Sequence, residues 1–114
     1  MKLDTMKGLR RTHYCGEVPE TEQEVVVCGF ADRVRDMGNL IFINLRDRTG
    51  LVQLAFNDET DRAVFEKAQL VKGEYVLMAK GMVRPRERVN EKLKTGKIEV
   101  AVTDLRILSK AETT

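Results

Sequence analysis

The sequence predicts an all-β domain, a five-stranded Greek-key barrel with one helix between the third and fourth strands. Three observations predict it. Short apolar runs that are β-branched or alternate with polar residues recur between clusters of Gly, Asp, Asn and Thr. Only one stretch, around Val64, Phe65, Ala68 and Val71, spaces its apolar residues at helical intervals. The 114 residues, 42% of them hydrophobic, suffice for one core and not for two.

In chain order, Glu24 to Arg35 opens on Val25, Val26 and Val27, and Gly29 within it marks a bulge or tight bend. Asp36 to Asn39 turns the chain into a second strand, Leu40 to Arg46. Asp47 to Gly50 turns it again into a third, Leu51 to Phe56. Turns this short make an antiparallel meander and exclude a βαβ crossover. Asn57 to Asp61 gathers capping and acidic residues into what reads as a first helical turn, and Gly73 reads as the helix stop. A fourth strand runs from Glu74 to about Arg84 with Pro85 ending its pairing, and a fifth covers Lys97 to Leu108. This order is the plan of an OB-fold barrel, whose uses include binding oligonucleotides. The expected division is an extension over 1–24, the barrel over 25–109 and the start of a linker at 110–114.

Alternation assigns the faces. Ile41, Ile43 and Leu45 belong inside, as do Val52, Leu54 and Phe56 and then Ile98, Val100 and Val102. Phe42, Gln53 and Glu99 are thereby expected to face solvent, and an aromatic ring among polar groups there suits base stacking. Equally, Phe42 packs beneath a loop or the N-terminal extension. Arg33 and Arg35 adjoin the first turn, either as phosphate contacts or as surface partners of Asp32 and Asp36.

Charge supports this only locally. The 20 basic and 18 acidic residues leave a net +2, but Arg84 to Lys97 holds six cations against two carboxylates. That run reads as a solvated loop or a backbone-binding one. No GxxxxGK[ST], HExxH, GxSxG or paired CxxC motif occurs, and His13 is the single histidine. No catalytic residue, metal ligand or cofactor is expected in this chain. No apolar stretch approaches bilayer-spanning length, the first residues mix acids and bases, and Cys15 and Cys28 read as free thiols, so a cytoplasmic location without membrane contact is expected.

The segments RTHYCGE (Arg11 to Glu17), VCGFADRVRDMGNLIFINLRDRTGLVQL (Val27 to Leu54), GMVRPR (Gly81 to Arg86) and TGKIEV (Thr95 to Val100) resemble the N-terminal anticodon-binding domain of bacterial-type aspartyl-tRNA synthetases. RDMGNLIFINLRDRTG is similar to the aspartate, asparagine and lysine class II enzymes generally, and RTHYCGE is more particular to the bacterial aspartate group. The resemblance implies binding of the GUC anticodon loop of aspartate tRNA. It implies that Phe42 stacks on an anticodon base, that Arg35 and Gln53 hydrogen-bond splayed bases, and that Glu99 reads the first base. Arg84, Arg86 and Asn90 would contact backbone and bases from the loop before the last strand, with Arg33 beside them. The implied parent is a homodimeric aspartate–tRNA ligase whose separate catalytic domain takes ATP and Mg2+. Here Val34 interrupts the family's arginine run and Phe30 replaces its usual tryptophan. The loop holding Asn90 is about two residues shorter than in common members. The competing readings are a free-standing single-strand-binding OB protein and a protein-interaction module.

Overall fold

The alternation along the strands resolves into one closed barrel. In the computed structural model, which describes residues 2–111, the strands are β1 (Glu24–Asp36), β2 (Ile41–Asp47), β3 (Gly50–Phe56), β4 (Val76–Pro85) and β5 (Ile98–Ser109), with α1 (Arg62–Ala68) between β3 and β4. Their order around the barrel is β1-β2-β3-β5-β4, closed by β4 on β1. All pairings are antiparallel except β3 with β5, which run parallel through Leu54 opposite Val100 and Ala55 opposite Ala101. Ile41, Ile43, Leu45, Val52, Leu54, Phe56 and Val100 are fully buried, with Ile98 and Val102 nearly so. The inward set read from the sequence is therefore the core. Of the expected linker at 110–114, residues 112–114 lie outside the described residues.

Three local expectations need correction. Gly29 is not the bulge, because β1 pairs in unbroken register with β4 from Glu24 to Phe30. The irregularity falls between Ala31 and Arg33, leaving Asp32 as the extra residue against β2. Gly29 is needed for close approach instead, since a Cβ there would strike the Arg46 carbonyl oxygen. The polar stretch Asn57 to Asp61 is a turn and not a helical one. Asn57 Oδ1 accepts the Glu59 N–H at 2.8 Å, Thr60 Oγ1 accepts the Asn57 N–H at 2.9 Å, and only Asp61 caps α1. Finally, α1 ends at Ala68 and not near Gly73, and the left-handed residue in the following turn is Glu74 at φ 68°. Its N–H donates to the Ala31 carbonyl at 2.7 Å and its carboxylate meets Arg46 at 2.9 Å, which offsets a strain of about 1 kcal/mol.

The N-terminal extension is bound along the barrel. Thr12 exchanges hydrogen bonds with Val26, and the Asp4 N–H donates to the Ile107 carbonyl at 2.9 Å. Asp47 Oδ2 accepts the Cys15 N–H at 2.7 Å, and its Oδ1 accepts both the N–H and the hydroxyl of Thr49. Thr49 Oγ1 in turn accepts the Gly16 N–H at 2.8 Å. Burial raises the Asp47 pKa, but the Thr49 hydroxyl and the Cys15 and Thr49 N–H groups outweigh it and hold the carboxyl below the ordinary value. Asp104 is lowered chiefly by its hydrogen bond from Arg106. A depressed folded-state pKa contributes stability that is complete above the unfolded value near about 4 and is lost as pH falls through the folded one. The thermal midpoint is therefore expected to hold from neutrality to about pH 5 and to drop below about pH 4. Asp47→Asn should flatten part of that drop while lowering stability at neutral pH by about 1–2 kcal/mol. An acid limb of the melting curve unchanged by Asp47→Asn would assign the loss elsewhere.

Candidate nucleic-acid interface

The bulge at Asp32 decides which arginines reach the outer face. Val25, Val27, Gly29 and Ala31 point inward at every second position, and unbroken alternation would carry Arg33 and Arg35 in with them. The extra residue reverses the parity, so Val34 packs against the core and Arg33 and Arg35 stand exposed. In the ladder Arg33 then lies opposite Asn44 and Arg35 opposite Phe42, on the outer side of β2. The Arg35 guanidinium covers the Phe42 ring at 5.1 Å from its centroid. Pairing of these arginines with Asp32 and Asp36 does not occur: Asp32 holds Arg46 at 2.6 Å, and Asp36 Oδ1 accepts the Gly38 N–H at 2.9 Å.

Gln53 on β3 and Glu99 on β5 continue the same floor, with one correction to the expected exposure. They are 4% and 7% exposed, because residues 86–97 fold back over them. Thr95 Oγ1 donates to the Leu51 carbonyl at 2.6 Å, the Arg86 N–H to the Lys97 carbonyl at 2.9 Å, and the Asn90 N–H to the Gly96 carbonyl at 2.9 Å. Gly96 is required here, since a Cβ would overlap the Asn90 carbonyl. Beneath the fold-back, Gln53 Nε2 donates to Glu99 Oε1 at 2.9 Å and Arg84 Nε donates to Glu99 Oε2 at 2.8 Å. The Glu99 carboxylate is thus fixed from both sides and retains unused lone pairs on each oxygen.

Two adjoining clefts of about 610 and 520 Å3 share Arg35, Gln53, Arg86 and Arg88 and form one groove, each within the size range of small-ligand sites. One holds Phe42, Glu99 and Met37, the other Arg33, Asn44 and Asn90. Arg33, Arg35, Arg86 and Arg88 make no ion pair among the described residues. Arg86 Nε is also buried, with no hydrogen-bond partner among the described residues. Burial lowers the Arg86 pKa, with Glu99 opposing and Arg35 reinforcing the shift. A buried donor on a cation beside an open cleft is a site for an acceptor such as a phosphate or a base carbonyl.

Seven of the eight residues singled out from the sequence thus border one groove. Arg84 stands apart, lining a smaller cleft with Ala55 and Ala101, and it touches the floor through Glu99. Asn90 both borders the groove and shapes its loop, its Oδ1 accepting the Lys92 N–H at 3.1 Å. Asn44 and Val89 were missed. The outward parity of Asn44 was available as a signal, whereas nothing in the sequence placed Val89. Among the described residues no group of His, Cys, Asp and Glu side chains is placed to hold a metal, and no helix is long and apolar enough to cross a membrane.

The chain is similar to known aminoacyl-tRNA ligases in sequence and fold. It is 50% identical over 114 residues to an aspartate–tRNA(Asp/Asn) ligase of Thermoanaerobacter pseudethanolicus, covering 96% of this chain and 19% of that protein. Among solved structures, the aspartyl tRNA synthetase of Entamoeba histolytica superposes with a TM-score of 0.78 at 27% identity, over 95% of this chain and 23% of the other. The asparaginyl-tRNA synthetase of Pyrococcus horikoshii gives 0.72 at 28% identity, over 87% of this chain and 23% of the other. The chain therefore spans about a fifth of the length of such relatives. Residues 25–108, essentially the whole barrel, match the tRNA anticodon family described as OB-fold nucleic acid binding domain, and the chain belongs to that family.

Proposed function

We propose that this chain is the anticodon-loop-binding part of an aspartate–tRNA ligase and that the groove over β2, β3 and β5 reads a GUC anticodon. The observation that carries the reading is the Glu99 carboxylate, held on the groove floor by Gln53 and Arg84 beside an aromatic ring, in a groove bordered by four arginines that make no ion pair among the described residues. Single-stranded loops are recognised by stacking splayed bases and by hydrogen bonding to their Watson–Crick edges. Phe42 supplies the stacking platform once Arg35 moves aside to a base or phosphate. Gln53 offers both donor and acceptor to a uracil edge. Glu99 accepts from the N1–H and N2–H of guanine and disfavours bases that present acceptors there. Arg33, Arg86 and Arg88 with Asn90 hold the backbone and fix the register. The likeness to the ligases supports a larger parent enzyme of that kind; that the parent is a homodimeric cytoplasmic enzyme whose catalytic domain uses ATP and Mg2+ is part of this proposal.

The deciding experiment titrates the chain with an anticodon stem-loop at fixed salt and changes each anticodon base in turn. Each change should cost about 1–3 kcal/mol. Affinity indifferent to all three bases would leave only a sequence-independent single-strand binder, and shifts in NMR spectra confined to surfaces away from Phe42, Gln53 and Glu99 would favour a protein-interaction module. Phe42→Ala is expected to lose about 1–3 kcal/mol of stem-loop binding. Because Phe42 is only half-buried on the outer face, its thermal midpoint should stay close to that of the parent. Extensive unfolding would place the ring among the core residues.

A further inference from the structure

A second cationic feature lies where the N-terminal extension meets the β2–β3 turn. The guanidinium groups of Arg11 and Arg48 both lie over the ring of Tyr14, with Cζ 4.1 and 4.5 Å from its centroid. Two cations no more than about 9 Å apart repel each other, and an anion bound beside both offsets that repulsion. Both are exposed, and neither makes an ion pair among the described residues. The nearby carboxylate, Asp47, spends both oxygens on Cys15 and Thr49, and Glu17 is exposed and makes no ion pair among the described residues. The arrangement is also held in place. The Cys15 and Gly16 N–H groups are tied to the Asp47 and Thr49 side chains, and a Cβ on Gly16 would strike the Thr49 carbonyl, so the two segments cannot separate without breaking these contacts.

Its position relates it to the groove. Phe42, Asn44 and Arg46 share the outer side of β2, and Arg48 stands in the turn just past the end of that strand, which runs on for about 17 Å from Phe42 to Asp47 at 3.4 Å per residue. Arg46 between them is already committed, to Asp32 and Glu74 and over the Phe30 ring. We infer that Arg11, Tyr14 and Arg48 form a phosphate clamp for the ribose–phosphate backbone of an RNA whose loop occupies the Phe42 groove, engaging it beyond the loop. The inference rests on the proposed function for the identity of the RNA. Tyr14 holds the two planar forks in place, and each fork is suited to bidentate contact with phosphate oxygens.

The test compares the intact chain with an Arg11→Gln/Arg48→Gln double variant on two probes, an anticodon stem-loop and the same loop as a short unpaired oligonucleotide, over a series of salt concentrations. On the stem-loop the double variant should bind roughly tenfold more weakly at low salt, and its slope of log affinity against log salt should flatten by about 1.5. On the oligonucleotide neither quantity should change. Lysine at both positions should restore the slope, since charge and not fold is what it measures. An unchanged slope on the stem-loop, an equal loss on the oligonucleotide, or failure of the lysine variant to restore the slope would overturn the clamp. Indifference of the parent chain to anticodon sequence would instead overturn the anticodon reading, with the slope on the stem-loop still deciding the clamp.

Discussion

Glu99→Gln should weaken binding of a GUC stem-loop by about 2–3 kcal/mol while leaving the barrel folded. The carboxylate accepts from Gln53 at 2.9 Å and from Arg84 at 2.8 Å, and at 7% exposure little water screens it. An amide of the same shape retains one acceptor and replaces the other with a donor. One amide face then has to meet either the Arg84 guanidinium or the guanine edge with like polarity, so discrimination falls along with affinity. The loss should be largest against guanine and small against a first base that presents an acceptor in place of N1–H. Arg84→Gln provides the companion measurement, because Arg84 lines a different cleft and, among the described residues, its side-chain hydrogen bond goes to Glu99. It should reproduce part of the loss without altering the salt slope. Stem-loop titrations at fixed salt measure both, and a Glu99→Gln variant that binds all first bases as the parent does would remove Glu99 from base reading.

How far this site was legible depended on which interactions set each part. The faces of β2, β3 and β5 follow from strict alternation in IFINLRD, LVQL and IEVAV, a local pattern that burial of one face enforces. The outward placement of Arg33 and Arg35 was not legible, because it depends on an extra residue at Asp32 that lets Val34 reach the core. Gly29, three positions earlier, carried the composition expected of a bulge and serves another purpose. The cover over Gln53 and Glu99 was hidden for a different reason. Residues 86–97 read as a solvated charge run, and their fold-back is set by the long-range bond from Thr95 to Leu51 and by the contact of Gly96 with Asn90. Likewise Asn, Asp and Thr satisfy a turn and a helix cap with the same oxygen atoms, so Asn57 to Asp61 gave no local sign of which they form.

Gly29→Ala is expected to be among the most damaging small substitutions in the barrel. At this point β1 leaves its ladder with β4 and takes up the one with β2: Gly29 opposes Leu77, and Phe30 opposes both Val76 and Arg46. Closing five strands requires the sheet to coil sharply, and the two backbones cross so closely that a methyl group would overlap the Arg46 carbonyl oxygen and press on the Leu45 side chain at 3.3 Å. A flexible side chain can yield, but a carbonyl inside a strand moves only with its ladder. The loss should be about 3 kcal/mol or more, from strain and broken pairing together. Gly73→Ala is the matched control, since its Cβ meets nothing within 4 Å and its φ is not positive. It should be neutral or stabilise by about 0.4–1 kcal/mol through the unfolded chain. Urea unfolding with m held in common separates the two, and equal midpoints would show that the close approach of Gly29 to the Arg46 carbonyl does not constrain the barrel.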